Sequence, residues 1–486
     1  MLESTDLRVK IGLEVHCQLT NLKSKLFCNC SADYRQSEPN THICPVCMGL
    51  PGTLPVLNRK AVDDALLIAL ALNMQISDRT IFYRKNYFYP DMPKNFQISQ
   101  YDKAGGIPIA KNGTITLDGG KVVRISRLQL EEDPGKLSYE GTIETSRSTL
   151  VDYNRAGVAL AEIVTEPDMS SPREARVFLQ KLRSILEHLG VSRGELEGSM
   201  RCDANISIAG RTRVEVKNIS SFKEVERALN FEITRQRNLL RKGLRIGRET
   251  RHWDETRRIT ISLRVKEEEE DYRYFPEPDL VPVLITEQEV EKQKLSMPEL
   301  PESHKQRLMA QYRISLQNAE VLTENKALAE FFEECAKSYE RPDLLGNWLV
   351  GDLLSYLYEM NLELKDSKIK PEHMVRLLEL IDDGTISGKI AKDILKEMLT
   401  TGRSPEDTIK ERGMRRISDR EYLQQLTEKI FDSNPEAVKD AIKDEKAIRF
   451  LVGQLMKETE GKADPQLANI LVTDKLKVLR ARTRQN

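Results

Sequence analysis

The chain has 486 residues, too many for one compact core, so several domains of roughly 100 to 200 residues each are expected. Its 75 Lys and Arg stand against 76 Asp and Glu, a formal net charge of -1, which excludes a global positive field and makes any nucleic-acid contact regional. Charged residues make up 31% of the chain and no apolar run approaches the roughly 20 residues that cross a bilayer, so no membrane partner and a cytoplasmic location are expected. The opening MLESTDLRVKIGLEVH has neither the pattern of a secretory signal nor the composition of a transit peptide.

The first apolar run, IGLEVHCQL, reads as a strand. Alternate strand residues share a face, so Glu14 and His16 project together while Val15 packs behind them. A Glu and a His so spaced are either solvent-facing side chains or part of a metal site. Four cysteines follow as Cys28-x-Cys30 and Cys44-x-x-Cys47. Two close pairs of thiolates suit tetrahedral zinc, and four filled positions point to a closed structural site, with His42 as the substitute ligand. The intervening stretch is too polar to order itself by burial, so the metal would hold the loop.

RKNYFYPDMPKNFQISQYD (84–102) sets Lys85, Tyr87, Phe88, Tyr89, Phe96 and Tyr101 among prolines, either a surface for stacking on a base or a loop anchored by its rings. GIPIAKNGTITLDGGKVVRISRLQL and GTIETSRSTLVDYN read as strands and hairpins, with tight turns at Asn112-Gly113 and Asp118-Gly119. Glu131-Glu132-Asp133 reads as a solvated turn ahead of Pro134-Gly135. Ser171 with Glu174 and Ser221 with Glu224 are capping-box signals for two amphipathic helices, ending at Gly190 and near Gly243. Neither GxxxxGK[ST] nor a strand-flanked GxGxxG occurs, so any phosphate chemistry needs carboxylates holding magnesium and basic side chains.

Prolines from Pro276 to Pro301 end the strand patterning and place a domain boundary near 295. Beyond it helical periodicity dominates, broken by a second junction between Gly402 and Gly413, so domains are expected over 1–295, 296–410 and 411–486. Ser418 and Glu421 form a third capping signal, and Asn434-Pro435 a further helix start. The last 25 residues carry Lys462, Lys475, Lys477, Arg480, Arg482 and Arg484 against Asp464 and Asp474, a positive end that is either a solvated terminus or an RNA contact.

IGLEVHCQL, GLPGTLPVLN, RKNYFYPDMPKNFQISQYD, LQLEEDPGKL, VDYNRAGVALAEIVTEPDM, EGSMRCDANISI, VEVKNISSF and DYRYFPEPDLVP run in the order found in the B subunits of tRNA-dependent amidotransferases. The chain resembles that family densely over about residues 8–290, and GQLMKETEGKADP resembles its terminal domain. The resemblance implies an α+β fold: an antiparallel-sheet cradle like that of glutamine synthetase and guanidino kinases, then an all-α helical domain and a small all-α tail that binds tRNA. It implies a ligase that uses ATP to phosphorylate the side-chain carboxylate of mischarged Glu-tRNA(Gln) or Asp-tRNA(Asn). Ammonia released by the glutaminase, the A subunit, then displaces phosphate, in a heterotrimer completed by the C subunit.

Carried over residue by residue, Glu14, His16 and Glu132 bind magnesium and serve catalysis, with Glu215 and Glu255 as further magnesium positions. Lys85 stands near the transferred phosphate, and Arg201 and Asn205 hold substrate or nucleotide. The four cysteines vary within the family. No Gly/Ser-rich amidase signature is visible, so glutamine hydrolysis belongs to another chain. Two other readings are a non-catalytic tRNA scaffold of the same complex and a zinc-knuckle nucleic-acid binder unrelated to amidation. A scaffold has no use for Glu14, His16 and Glu132 at one site, which separates these from the kinase-like reading.

Overall fold

The computed structural model describes residues 8–102, 106–140, 146–194, 196, 198–264, 272–412, 420–443, 447–459, 463 and 465–483. Contacts divide the chain into two compact units, Met1–Ser303 and His304–Asn486.

The first unit is built on strands β1 (Val9–Gln18), β2 (Gln75–Ile76), β3 (Arg79–Thr80), β4 (Phe82–Asn86), β5 (Phe96–Gln100), β6 (Ala110–Thr116), β7 (Val122–Glu132) and β8 (Lys136–Tyr139). They continue with β9 (Thr149–Asp152), β10 (Ala159–Thr165), β11 (Met200–Ile208), β12 (Val214–Ile219), β13 (Glu249–Asp254), β14 (Ile259–Arg264), β15 (Phe275–Pro276) and β16 (Val283–Leu284). Nine of them form one sheet in the order β14-β13-β12-β11-β1-β10-β7-β6-β2. A smaller sheet, β15-β4-β5, leans on the end of β7, where the Gln97 side-chain amide donates to the Glu132 carbonyl and the Leu130 N–H donates to Gln100 Oε1.

Alternation divides the large sheet into two unlike faces. Ile11, Leu13, Val15 and Cys17 of β1 join Cys202, Ala204 and Ile206 of β11, Ala161 and Ile163 of β10, and Leu128 and Leu130 of β7 in one core. Helices α1 (Arg59–Ala71), α2 (Pro172–His188) and α3 (Phe222–Arg241) cover that face. The opposite face carries Glu14 and His16 of β1 and their counterparts on neighbouring strands.

The sheet departs from a wholly antiparallel one at β12 and β13, which pair in parallel. Helix α3 connects them, and a helical crossover returns the chain in its original direction. Asp118-Gly119 makes its hairpin, with Gly119 and Gly120 both at positive φ. Asn112-Gly113 does not turn and lies inside β6. A Cβ on Gly113 would stand 2.5 Å from Met74 Cγ and 2.8 Å from the Leu72 carbonyl oxygen, so the glycine admits a close backbone approach. Helix α1 leaves no amphipathic stripe to read in the sequence, because ALLIALA is apolar on nearly every side.

Ser171 and Ser221 accept the N–H of Glu174 and Glu224 as helix caps, but neither box closes. The Glu174 carboxylate instead accepts Ser170 N–H, and that of Glu224 takes Trp253 Nε1–H and Arg227. Thr286 and Glu289 make a complete capping box at helix α4 (Glu287–Leu295).

Helix α5 (Pro301–Tyr312) opens the second unit, where regular structure is helical throughout the described residues. One core runs from Leu308 to Ile409, with Phe332, Leu349, Leu378 and Leu395 fully buried. A separate core of Ile430, Phe431, Leu451, Leu455, Val472 and Leu476 lies among the last helices. No described helix is long and apolar enough to cross a membrane. The capping signal at Ser418 and the side chains of Glu421, Lys462, Arg480, Arg482 and Arg484 lie outside the described residues, as do residues 141–145.

Candidate active site and metal centre

Three strands bring one cluster together. Glu14 and His16 project from β1, and the β1–β10 register sets Glu162 directly opposite His16. Ligand atoms of these three side chains lie within 4.8 Å of one another. Glu131 of β7 reaches to 3.4 Å from His16 Nε2, and Glu14 stands 3.8 Å from it. On the other flank Asp203 of β11 lies opposite Glu14 and binds Lys217 of β12 at 2.8 Å.

Charge is therefore crowded where water is scarce. Burial, then Glu14 and Glu131, push the Glu162 carboxyl up to about 8. Burial opposes ionisation of Glu14, but His16, Lys217, Lys85 and Arg127 outweigh it and hold its carboxyl below the usual range. Burial likewise opposes charge on His16, and Glu131, Glu162, Glu14 and Asp203 together raise it. Two carboxylates and an imidazole converging on one point are a donor set for a divalent cation, which would offset the burial and repulsion that raise the Glu162 carboxyl.

Lys85 arrives from β4. Its ammonium lies 5.0 Å from the Tyr272 ring centre and 5.8 Å from that of Tyr87, with Tyr274 stacked on Tyr101 at 3.9 Å. Burial works against its charge, yet Tyr274, Glu131, Tyr87 and Tyr272 raise it. The aromatic segment thus anchors a cation, while Phe88 and Tyr89 at its tip remain 71% and 50% exposed.

Arg201 sits opposite His16 and donates to Asp133 at 2.6 Å, and Asp133 also accepts from the Gln18 side-chain amide. Asn205 lies opposite Gly12, and its buried Oδ1 has no hydrogen-bond partner. Such an orphan acceptor suits a donor from a bound molecule. Glu215 is one strand farther out, accepting Thr250 Oγ1–H at 3.0 Å and standing 3.6 Å from Lys217. Glu255 lies apart on the exposed turn after β13, where it accepts Ser220 N–H.

Glu132 does not join the cluster. Next to Glu131 on a strand, it necessarily points to the other face, where Lys94 Nζ donates to both of its oxygens at 2.5 Å and Ile98 N–H to one of them at 2.9 Å. Glu131, Glu132 and Asp133 are all at most 4% exposed, so this is no solvated turn. Sequence reasoning misses Glu131 and Glu162. The available signal is Glu162 itself, a lone acid within the strand ALAEIVT, since a buried carboxylate needs a reason.

Cys28, Cys30, Cys44 and Cys47 converge, their four Sγ atoms lying within 4.8 Å of one another. A tetrahedral zinc with bonds of about 2.3 Å needs sulfurs about 3.8 Å apart, so the set fits a closed structural site. The Cys28 thiol and the Lys25 ammonium hold the Cys47 thiol down to about 4 against the effect of burial. His42 is not a ligand in this arrangement, because its ring meets Ser37 Oγ at 2.7 Å and its carbonyl accepts from Lys25. A pocket of about 160 Å³ lies between this loop, the Lys94–Glu132 pair and Arg84, which binds Glu277 at 2.7 Å.

Residues 9–291 match the family described as "GatB/GatE catalytic domain", and residues 330–476 match one described as "GatB domain". The chain is 53% identical over 465 residues to the B subunit of an aspartyl/glutamyl-tRNA(Asn/Gln) amidotransferase from Sulfurisphaera tokodaii, covering 96% of this chain and 98% of that one. It is 52% identical to the protein of that name from Saccharolobus solfataricus, over 96% and 99% of the two chains. The corresponding B subunit of Thermotoga maritima is 50% identical, over 96% and 98%.

Proposed function

This chain belongs to the GatB/GatE family of tRNA amidotransferase subunits, and on that premise we propose that its sheet face activates the side-chain carboxylate of mischarged Glu-tRNA(Gln) or Asp-tRNA(Asn) with ATP. The observation that carries the reading is the Glu14–His16–Glu162 cluster, flanked by Glu131 and overlooked by the half-buried ammonium of Lys85. The face that holds them serves as the cradle for nucleotide and acyl group.

A carboxylate is a poor acyl donor at neutral pH, whereas an acyl phosphate carries a good leaving group. The side-chain oxygen attacks the γ-phosphorus, ADP departs, and ammonia then attacks the acyl carbon and expels phosphate. In-line phosphoryl transfer asks the protein mainly for positioning and charge neutralisation. Glu14, His16 and Glu162 would hold a magnesium ion, which would supply positive charge against the charge on the phosphate oxygens. Lys85, fixed between Tyr87 and Tyr272, directs its charge at the transferred group, and the rings exclude water from it. Arg201, braced by Asp133, donates to nucleotide oxygens, and Asn205, with its free acceptor, takes a nucleotide or ribose donor. Glu131 takes the place that the family resemblance assigns to Glu132, while Glu215 and Glu255 set the outer rim. The zinc loop is structural, and residues 411–486 form a tRNA-binding tail. Ammonia comes from the glutaminase, the A subunit of a complex that also includes the C subunit.

The test is amidation in the reconstituted complex with Mg-ATP and mischarged tRNA, using ammonium chloride to bypass glutamine hydrolysis. Glu14→Gln and Glu162→Gln should assemble and bind tRNA yet lose tRNA-dependent ATP cleavage and amide formation together by about a hundredfold or more. Retention of both activities would reduce the chain to a tRNA scaffold.

A further inference from the structure

On the polar face of the large sheet, two cations beside the carboxylate cluster are held by carboxylates, Lys217 by Asp203 and Arg201 by Asp133. Toward the N-terminal end of β1 the same face carries cations that are not. Lys10 lies four residues before Glu14 on β1 and opposite Ser207 of β11, so it shares the face of Glu14. Arg213 stands two residues before Glu215, just ahead of β12, and Arg248 just ahead of β13; each precedes the first pair of the parallel register, Val214 with Glu249, so extending that register by one step sets the two side by side. All three are exposed, as are Arg8, Arg211 and Arg245 around them. None of the six forms an ion pair with a described residue. Glu249, the carboxylate nearest in sequence to Arg248, is committed to Arg235 and Arg251.

Strand spacing gives the scale of this row. Arg213 and Arg248 lie two and three strands from Lys10, about 10 and 14 Å across the sheet at the usual 4.7–4.9 Å per strand. Lys10 is about 13 Å along β1 from Glu14. That width exceeds one phosphate group and matches a run of them, and mutually repelling exposed charges in a chain of net charge -1 gain most from an extended anion.

We propose that Lys10, Arg213 and Arg248 form a phosphate track on which the acceptor arm of the RNA substrate lies, directing its aminoacylated 3′ end along β1 to the Glu14–His16–Glu162 cluster. This rests on the tRNA-dependent reading above and names the surface that receives the RNA.

The probe is a hairpin RNA carrying only the acceptor arm, titrated against the full chain across a salt series. For K10Q/R213Q/R248Q, Kd should rise about tenfold or more at low salt, and the slope of log K against log salt should flatten by about two to three, one phosphate contact per cation. In the reconstituted complex the same variant should raise the KM for mischarged tRNA. R173Q/K223Q, two exposed cations on the helical face, should leave Kd and slope unchanged, and melting curves confirm that both variants fold. Unchanged Kd and slope in the triple variant would overturn the track. So would lost turnover with unchanged RNA affinity, which would mean that this face meets a protein partner. Failure of the underlying reading shows differently: the wild-type complex would then cleave no ATP in response to mischarged tRNA.

Discussion

Glu131 and Glu132 are chain neighbours with opposite fates. One reaches His16 on the polar face, and the other is buried against Lys94 beneath the cysteine loop. Their substitutions should separate function from stability. Glu131→Gln should reduce ammonium-dependent amidation in the reconstituted complex with little change in melting temperature. Glu132→Gln breaks a buried pair and should destabilise the first unit by about 3 kcal/mol, read by thermal or denaturant unfolding. The cysteines allow a second test at this scale. One zinc per chain should appear in metal analysis, and Cys44→Ser should release it and make the loop around residues 28–56 susceptible to protease. Zinc retained in full by that variant would remove Cys44 from the ligand set.

Among the elements, β6 shows how a local signal can be right about conformation and wrong about purpose. Asn112 has positive φ, as an Asn-Gly pair suggests, yet the strand continues because Gly113 passes close to Leu72 and Met74 at the end of α1. Gly113→Ala should therefore cost about 1–3 kcal/mol, since the Leu72 carbonyl can yield only if the backbone moves. Gly247→Ala meets nothing within 4 Å and should be nearly neutral in the same melting assay. The capping serines behave more simply. Ser171→Ala removes an acceptor from the Glu174 N–H and should lower stability by about 1 kcal/mol.

The two units each own their apolar core: every buried residue of the sheet core precedes residue 286, and those of the helical cores begin at Leu308. A fragment of residues 1–303 should accordingly fold cooperatively and retain its zinc, and 304–486 should melt as a helical protein, both by circular dichroism. A fragment of 1–303 lacking cooperative unfolding would show that the sheet depends on the helical unit. Several features of this organisation were legible in the chain. The change from alternating to helical periodicity past the prolines marks the passage from sheet to helical region, and the paired cysteines announce their own cluster because ligand spacing is local. Glu14 and His16 were legible together for the same reason, a period of two within one strand. Glu162, Glu131 and the unpaired row of Lys10, Arg213 and Arg248 were not, since they come from separate strands and meet only through the register and order of the sheet. Periodicity within a segment shows which side chains share a face, but only hydrogen-bonded pairing between distant segments decides which faces adjoin, and the site is built across those pairings.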